Sequence, residues 1–169
     1  LKKLNPSPKP SDKPVDVCCI MIPLFKKLSE GYLLVDFKNR FPEVSPLATN
    51  LPQYIRARLT GHSNHFTNFF IIHDSWSRNA GDLWFKINNW GHAAEELAEA
   101  KKRESYFARW QSLDEYNYHS FTNVHPAVAT AWPTLRYVKS RSIEELILIL
   151  KRDTNVRKIP NHILWLKNN

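Results

Sequence analysis

Residues 1 to 14 read LKKLNPSPKPSDKP, with prolines at 6, 8, 10 and 14. Each proline holds φ near about −65° and removes a backbone donor, so this stretch can neither run as a helix nor sit inside a sheet. An extended, polyproline-like arm is what remains open to it. Nothing in the arm can pack a core, so folding is expected over residues 15 to 169, as a single α+β domain. With 43% apolar and 12% aromatic residues in 169, the chain can supply one sizeable core.

Charge is distributed as unevenly as proline. The formal net charge is +8. Residues 1 to 14 carry Lys2, Lys3, Lys9 and Lys13 against Asp12, a net +3; residues 15 to 135 hold 12 basic and 12 acidic side chains. Residues 136 to 169 carry Arg136, Lys139, Arg141, Lys151, Arg152, Arg157, Lys158 and Lys167 against Glu144, Glu145 and Asp153, a net +5. The whole cationic excess therefore lies at the two ends, the pattern of a protein that holds a polyanion with its extremities. Lys2, Lys3, Lys9, Lys13, Arg56, Arg58, Arg136, Lys139, Arg141, Arg157 and Lys158 are the expected contacts to nucleic-acid phosphate.

Several function classes fall away. The longest apolar runs are about six residues, such as Val17 to Ile22, against the roughly 20 a spanning helix needs, so no membrane insertion is expected. Cys18 and Cys19 are adjacent, their side chains pointing to opposite faces of a strand, so no disulfide framework is implied and a reducing compartment is expected. The four glycines form neither G-x-G-x-x-G nor G-x-x-x-x-G-K-[ST], which removes nucleotide-dependent chemistry; no cofactor is expected. The first residue is Leu1 rather than methionine, and neither an apolar leader core nor an amphipathic presequence can be read. That fits a processed, imported protein and equally a trimmed chain.

Periodicity sketches the elements. VDVCCIMI (Val15 to Ile22) reads as a buried strand ending at Pro23, which then opens a helix carrying Leu24, Leu28, Tyr32 and Val35 at helical spacing. YIRARLT alternates as a half-buried strand with Arg56 and Arg58 outward. NFFIIHD and DLWFKIN read as two more strands, completing an antiparallel meander. HAAEELAEAKKRESYFARWQSL is the clearest helix, with acids early and bases late. TLRYVKS is a strand, Ser142-x-x-Glu145 a capping box that opens IEELILILKRD, and HILWL a last short strand. The expected fold is α+β, an antiparallel meander with helices packed on the sheet, a C-terminal strand-helix-strand unit and an extended N-terminal arm.

GHSNHFTNFFIIHD (Gly61 to Asp74) raises metal and catalytic readings. His62-x-x-His65 has ligand spacing, and His73 with Asp74 could complete a set, yet no thiolate pair or H-E-x-x-H helix accompanies it. Structural imidazoles flanking Phe69 to Ile72, buried in a sheet, are expected instead, with no metal. HFTN (His65 to Asn68) resembles one half of the paired H-x-T motif of two-histidine phosphoesterases, where each histidine serves as acid or base and each hydroxyl holds phosphate. Its echo HSFTN (His119 to Asn123) departs from the pattern: Phe121 stands where the hydroxyl belongs, and Thr122 is one residue late. No nucleophile elbow is present, so no catalytic residue is assigned.

Six tryptophans complete the reading; Trp76, Trp90, Trp132 and Trp165 stand near element edges, where they either stack on bases or fill a core rim. NVHPAVATAWPTLRY is apolar enough to call for cover by a partner. The composition resembles that of accessory proteins of organellar ribosomes. The resemblance implies a non-catalytic structural subunit of a ribonucleoprotein in the mitochondrion, with RNA and neighbouring subunits as partners and no small-molecule substrate. A cytoplasmic location is the alternative compartment. A protein-binding subunit of another mitochondrial complex and the histidine phosphoesterase are the alternative functions.

Overall fold

A computed structural model describes residues 14–38, 42–51, 63–89, 99–126, 128 and 131–153. The protein is α+β, as its patterning predicts. Among the described residues the strands are β1 (Val15–Leu28), β2 (Gly31–Asp36), β3 (Val44–Thr49), β4 (Ser63–His73) and β5 (Thr134–Lys139). The helices are α1 (Ala80–Asn89), α2 (Ala100–Ser112) and α3 (Ile143–Arg152). The ladders that join β1 to β2, β1 to β3 and β2 to β5 are all antiparallel. The arm, the strand expected at Tyr54 to Thr60, the first part of the long helix and the HILWL strand lie outside the described residues.

The chain divides into two compact units. The first comprises the described parts of 1–21 and 43–71; the second those of 22–42 and 72–153. In the first, β1 pairs with β3 from Asp16↔Thr49 to Ile20↔Val44, with a bulge between Val17 and Cys18. Pro46 falls opposite Cys18, beside that bulge, where a residue without an N–H is tolerated. Val15 closes the ladder's end by donating its N–H to Asn50 Oδ1 at 2.8 Å. β4 also pairs with β1, and Thr67 Oγ1 donates to the Cys18 carbonyl at 3.1 Å.

In the second unit the sequence reading needs two corrections. Leu24 to Val35 is no helix: β1 continues through Pro23 to Leu28, turns at Ser29 and Glu30, and returns as β2 with Leu24↔Leu34 and Leu28↔Gly31 in register. Leu24, Phe25, Leu33, Leu34 and Val35 are all buried, so both faces of this hairpin are covered. A strand buried on both sides has no two-residue alternation, and its apolar run imitates helical spacing. DLWFKIN is no strand but the body of α1: Leu83 and Ile87, four residues apart, are fully buried, and Asn79 Oδ1 caps the helix by accepting the Asp82 N–H at 2.9 Å.

α3 begins as expected, with Ser142 Oγ accepting the Glu145 N–H at 3.3 Å, but Glu145 Oε2 takes the N–H of Arg141 at 2.7 Å to complete the cap. The second unit's core joins Phe25, Leu33, Val35, Trp76, Leu83, Ile87, Trp110, Phe121, Trp132 and Leu135. Its rings meet edge to face: Phe25 with Phe121 at 5.8 Å and with Trp132 at 6.3 Å, and Trp76 with Trp132 at 6.2 Å. Trp76 and Trp132 are therefore core fillers, while Trp90 and Trp165 lie outside the described residues. In NVHPAVATAWP the Val124 N–H donates to the Trp132 carbonyl at 2.8 Å, and Val124, Pro126, Trp132 and Pro133 are buried within their own unit. Val128 in the same segment is 54% exposed, and Ala127, Ala129 and Thr130 lie outside the described residues.

α2 ends on an unusual cap. Lys26 Nζ, from β1, donates to the carbonyls of Trp110 at 2.8 Å, Gln111 at 2.7 Å and Leu113 at 2.7 Å. The C-terminal carbonyls of a helix lack intrahelical partners, and a cation there also meets the negative end of its dipole. Trp110 Nε1 returns a bond to the Phe25 carbonyl at 2.9 Å. Lys26→Met keeps the stem and removes every donor, and is expected to cost about 1–3 kcal/mol. Thermal melting followed by circular dichroism checks this, and an unchanged midpoint would refute the capping role.

Candidate nucleic-acid interface

Of the eleven expected phosphate contacts, Lys2, Lys3, Lys9, Lys13, Arg56, Arg58, Arg157 and Lys158 lie outside the described residues. The other three stand on or just after β5: Arg136 and Lys139 are already engaged by their own chain, while the Arg141 side chain is exposed. Arg136 Nη1 meets Asp153 Oδ2 at 2.6 Å, half-buried, tying β5 to the end of α3. Lys139 Nζ meets Glu30 Oε2 at 2.8 Å across the end of the β2–β5 ladder, with both side chains largely exposed. Hydrogen bonding to that ammonium holds the Glu30 carboxyl below its usual range and Lys139 above its own, and the charge of Arg141 lowers Glu30 further. Arg136 must leave a geometrically good, partly buried partner to reach phosphate. The Lys139 pair is solvent-screened and exchanges easily.

His65 is exposed on β4, and the hydroxyl two residues on, Thr67, is held by the Cys18 carbonyl. His119 is exposed on a single 3₁₀ turn, Tyr118–Ser120, while Phe121 turns into the core with the Arg109 guanidinium 4.1 Å above its ring. In the second copy, then, the place of the phosphate-holding hydroxyl belongs to a core ring. Among the described residues no three His, Cys, Asp or Glu side chains gather as a metal set; His62 lies outside them. The strand around Phe69 to Ile72 forms as expected, but its burial does not: Phe69 is 59% exposed, and Phe70, Ile71 and Ile72 are only half-buried. Aromatic and β-branched residues fit a pleated strand whether or not anything covers it, so composition alone overstates burial.

Compared with protein-family models, with curated proteins and with solved structures, the chain returns no match. Function must therefore be argued from its own residues.

One cationic cluster escaped the sequence reading. Arg78 Nε and Lys86 Nζ both donate to the Ser75 carbonyl, at 3.1 and 2.9 Å. Lys86 also lies 4.4 Å above the centre of the buried Trp76 ring. Burial, and then the neighbouring Arg78 charge, lower the Lys86 pKa to about 8. Reading residues 82 to 88 as a strand separates Lys86 from Ser75 and Trp76; the Asn79-x-x-Asp82 cap was the signal that would have joined them. On α1's other flank Trp84 lies 5.1 Å from Phe107, and Arg103 Nε donates to Asn88 Oδ1 at 3.0 Å. Phe85, on the helix's outer side, is 69% exposed. Interleaved cations and rings of this kind suit single-stranded nucleic acid, which offers phosphates and base faces together.

Proposed function

We propose that the protein is a non-catalytic accessory subunit of a large ribonucleoprotein, an organellar ribosome in the mitochondrion, and that it contacts RNA chiefly through its two basic ends. The observation that carries this reading is the segregation of charge: 12 acids balance 12 bases from residue 15 to 135, and the whole +8 lies outside them. A disordered, merely solubilising tail needs charge but no particular sign at both termini, whereas phosphate binding needs cations at both. The contacts proposed are Lys2, Lys3, Lys9 and Lys13 from the arm, Arg56 and Arg58, Arg141, and Arg157 with Lys158. Lys139 joins them by exchanging Glu30 for phosphate. Arg136 is assigned to RNA only if it exchanges Asp153 in the same way, at a greater cost.

The test is a pull-down from native extract with and without ribonuclease, followed by RNA binding across a salt series. Association should be lost on ribonuclease treatment. The logarithm of the affinity should fall steeply with the logarithm of salt, and deleting residues 1 to 14 should lower that slope by about one for each lysine that touches phosphate. Assembly that survives both ribonuclease and high salt would replace this reading with a purely protein-binding subunit.

A further inference from the structure

We propose that Arg78 and Lys86, together with the hydroxyl of Ser75, form a binding site for a phosphate group, separate from the basic ends and independent of their role. Two full positive charges converge on one backbone oxygen, the Ser75 carbonyl, at 3.1 and 2.9 Å. A carbonyl can accept both bonds, but it brings no net charge to offset their mutual repulsion. Among the described residues neither cation is ion-paired. The carboxylate that α1 carries, Asp82, accepts a hydrogen bond from Asn79 Nδ2 at 2.7 Å.

Hydrogen-bond donors remain for an oxyanion beside these cations. Arg78 spends only Nε on Ser75, so its paired Nη groups are left for a two-pronged contact, and Lys86 keeps ammonium hydrogens beyond the one it spends. Ser75 Oγ is buried without a hydrogen-bond partner, which leaves a further O–H donor on the residue that both cations touch. A buried hydroxyl without a partner costs free energy that a ligand oxygen would recover. The Trp76 face 4.4 Å from Lys86 Nζ attracts the ammonium through its quadrupole but brings no net negative charge. The start of α1 takes no part, because Asn79 and Asp82 already cap it. The lowered Lys86 pKa agrees with this geometry: it reflects a cation held among apolar and like-charged neighbours, which a bound anion would relieve.

Both a free phosphate compound and an RNA backbone present this chemistry. Inorganic phosphate is titrated into the full 169-residue chain against chloride at constant ionic strength, following the Lys86 side-chain resonances by NMR. A saturable shift with phosphate, absent with chloride, is expected. Arg78→Gln and Lys86→Met should each weaken it about tenfold or more, while Arg152→Gln, an exposed cation at the end of α3, leaves it unchanged. Arg78 is exposed, so its variant carries the test even if Lys86→Met fails to fold. A parallel titration with short single-stranded RNA separates the sources: tighter binding that is lost in Arg78→Gln marks the backbone, and binding of inorganic phosphate alone marks a small ligand. A non-saturating response that chloride reproduces, or phosphate affinity untouched in both variants, would overturn the site.

Discussion

Phe25→Ala is expected to destabilise the second unit by about 3–5 kcal/mol, enough to leave it largely unfolded if its stability is that of an ordinary small domain. Phe25 has no exposed surface, and its ring is the meeting point of Phe121 and Trp132, both approached edge to face. Alanine removes the burial of an aromatic ring and, because these neighbours are themselves pinned, leaves a cavity that cannot collapse. Trp132 is held against Trp76 and His125, and Phe121 against Tyr106 and under Arg109. Urea unfolding followed by tryptophan fluorescence measures the loss. Phe85→Ala, on the exposed side of α1, is the comparison and should stay within about 0.5 kcal/mol. Equal midpoints for the two variants would show that the aromatic cluster does not hold this unit together.

Gly31→Val is the second large effect. Gly31 opens β2 directly after the Ser29–Glu30 turn and pairs with Lys139 of β5. A Cβ there would collide with the Val138 carbonyl oxygen and stand 2.6 Å from the Tyr137 ring. The ring could turn aside, although its hydroxyl is tied to the Glu30 carbonyl at 2.9 Å; the carbonyl belongs to the ladder and cannot move without breaking it. The expected loss is about 1–3 kcal/mol, concentrated in the β2–β5 pairing. Hydrogen exchange should show the amides of Leu33 and Leu34 losing protection before those of α3. Gly81→Ala makes the contrast: its Cβ would meet only Asn79 Oδ1, at an ordinary 3.5 Å, and on a helix it should stabilise by up to about 1 kcal/mol.

How far the fold could be read from the chain depended on whether a segment keeps one wet face. α3 was legible because Leu146 and Leu150 are buried while Glu144, Glu145, Lys151 and Arg152 stay exposed, so its period survives in the sequence. The β1–β2 hairpin was illegible for the opposite reason, being buried on both faces, and its helix-like spacing of Leu24, Leu28 and Tyr32 is incidental. α1 failed on length: ten residues with only Leu83 and Ile87 buried present too short a stripe to outweigh the aromatic, strand-like composition of DLWFKIN. The candidate site divides in the same way. Net charge at the ends is a sum over residues and is visible in any arrangement. The convergence of Arg78 and Lys86 on Ser75 depends on the loop before α1, and the engagement of Arg136 and Lys139 is hidden in the sequence because their partners Asp153 and Glu30 lie 17 and 109 positions away in the chain.

Cys18 and Cys19 are the only sulfhydryls in the sequence; both are buried in the first unit, and burial raises both thiols above their usual pKa. A thiol that is shielded and protonated reacts with an alkylating reagent only after the surrounding ladder opens. The rate of alkylation therefore serves as a gauge of how often that ladder breathes, and because the second unit contains no cysteine, it reads one half of the protein without disturbance from the other.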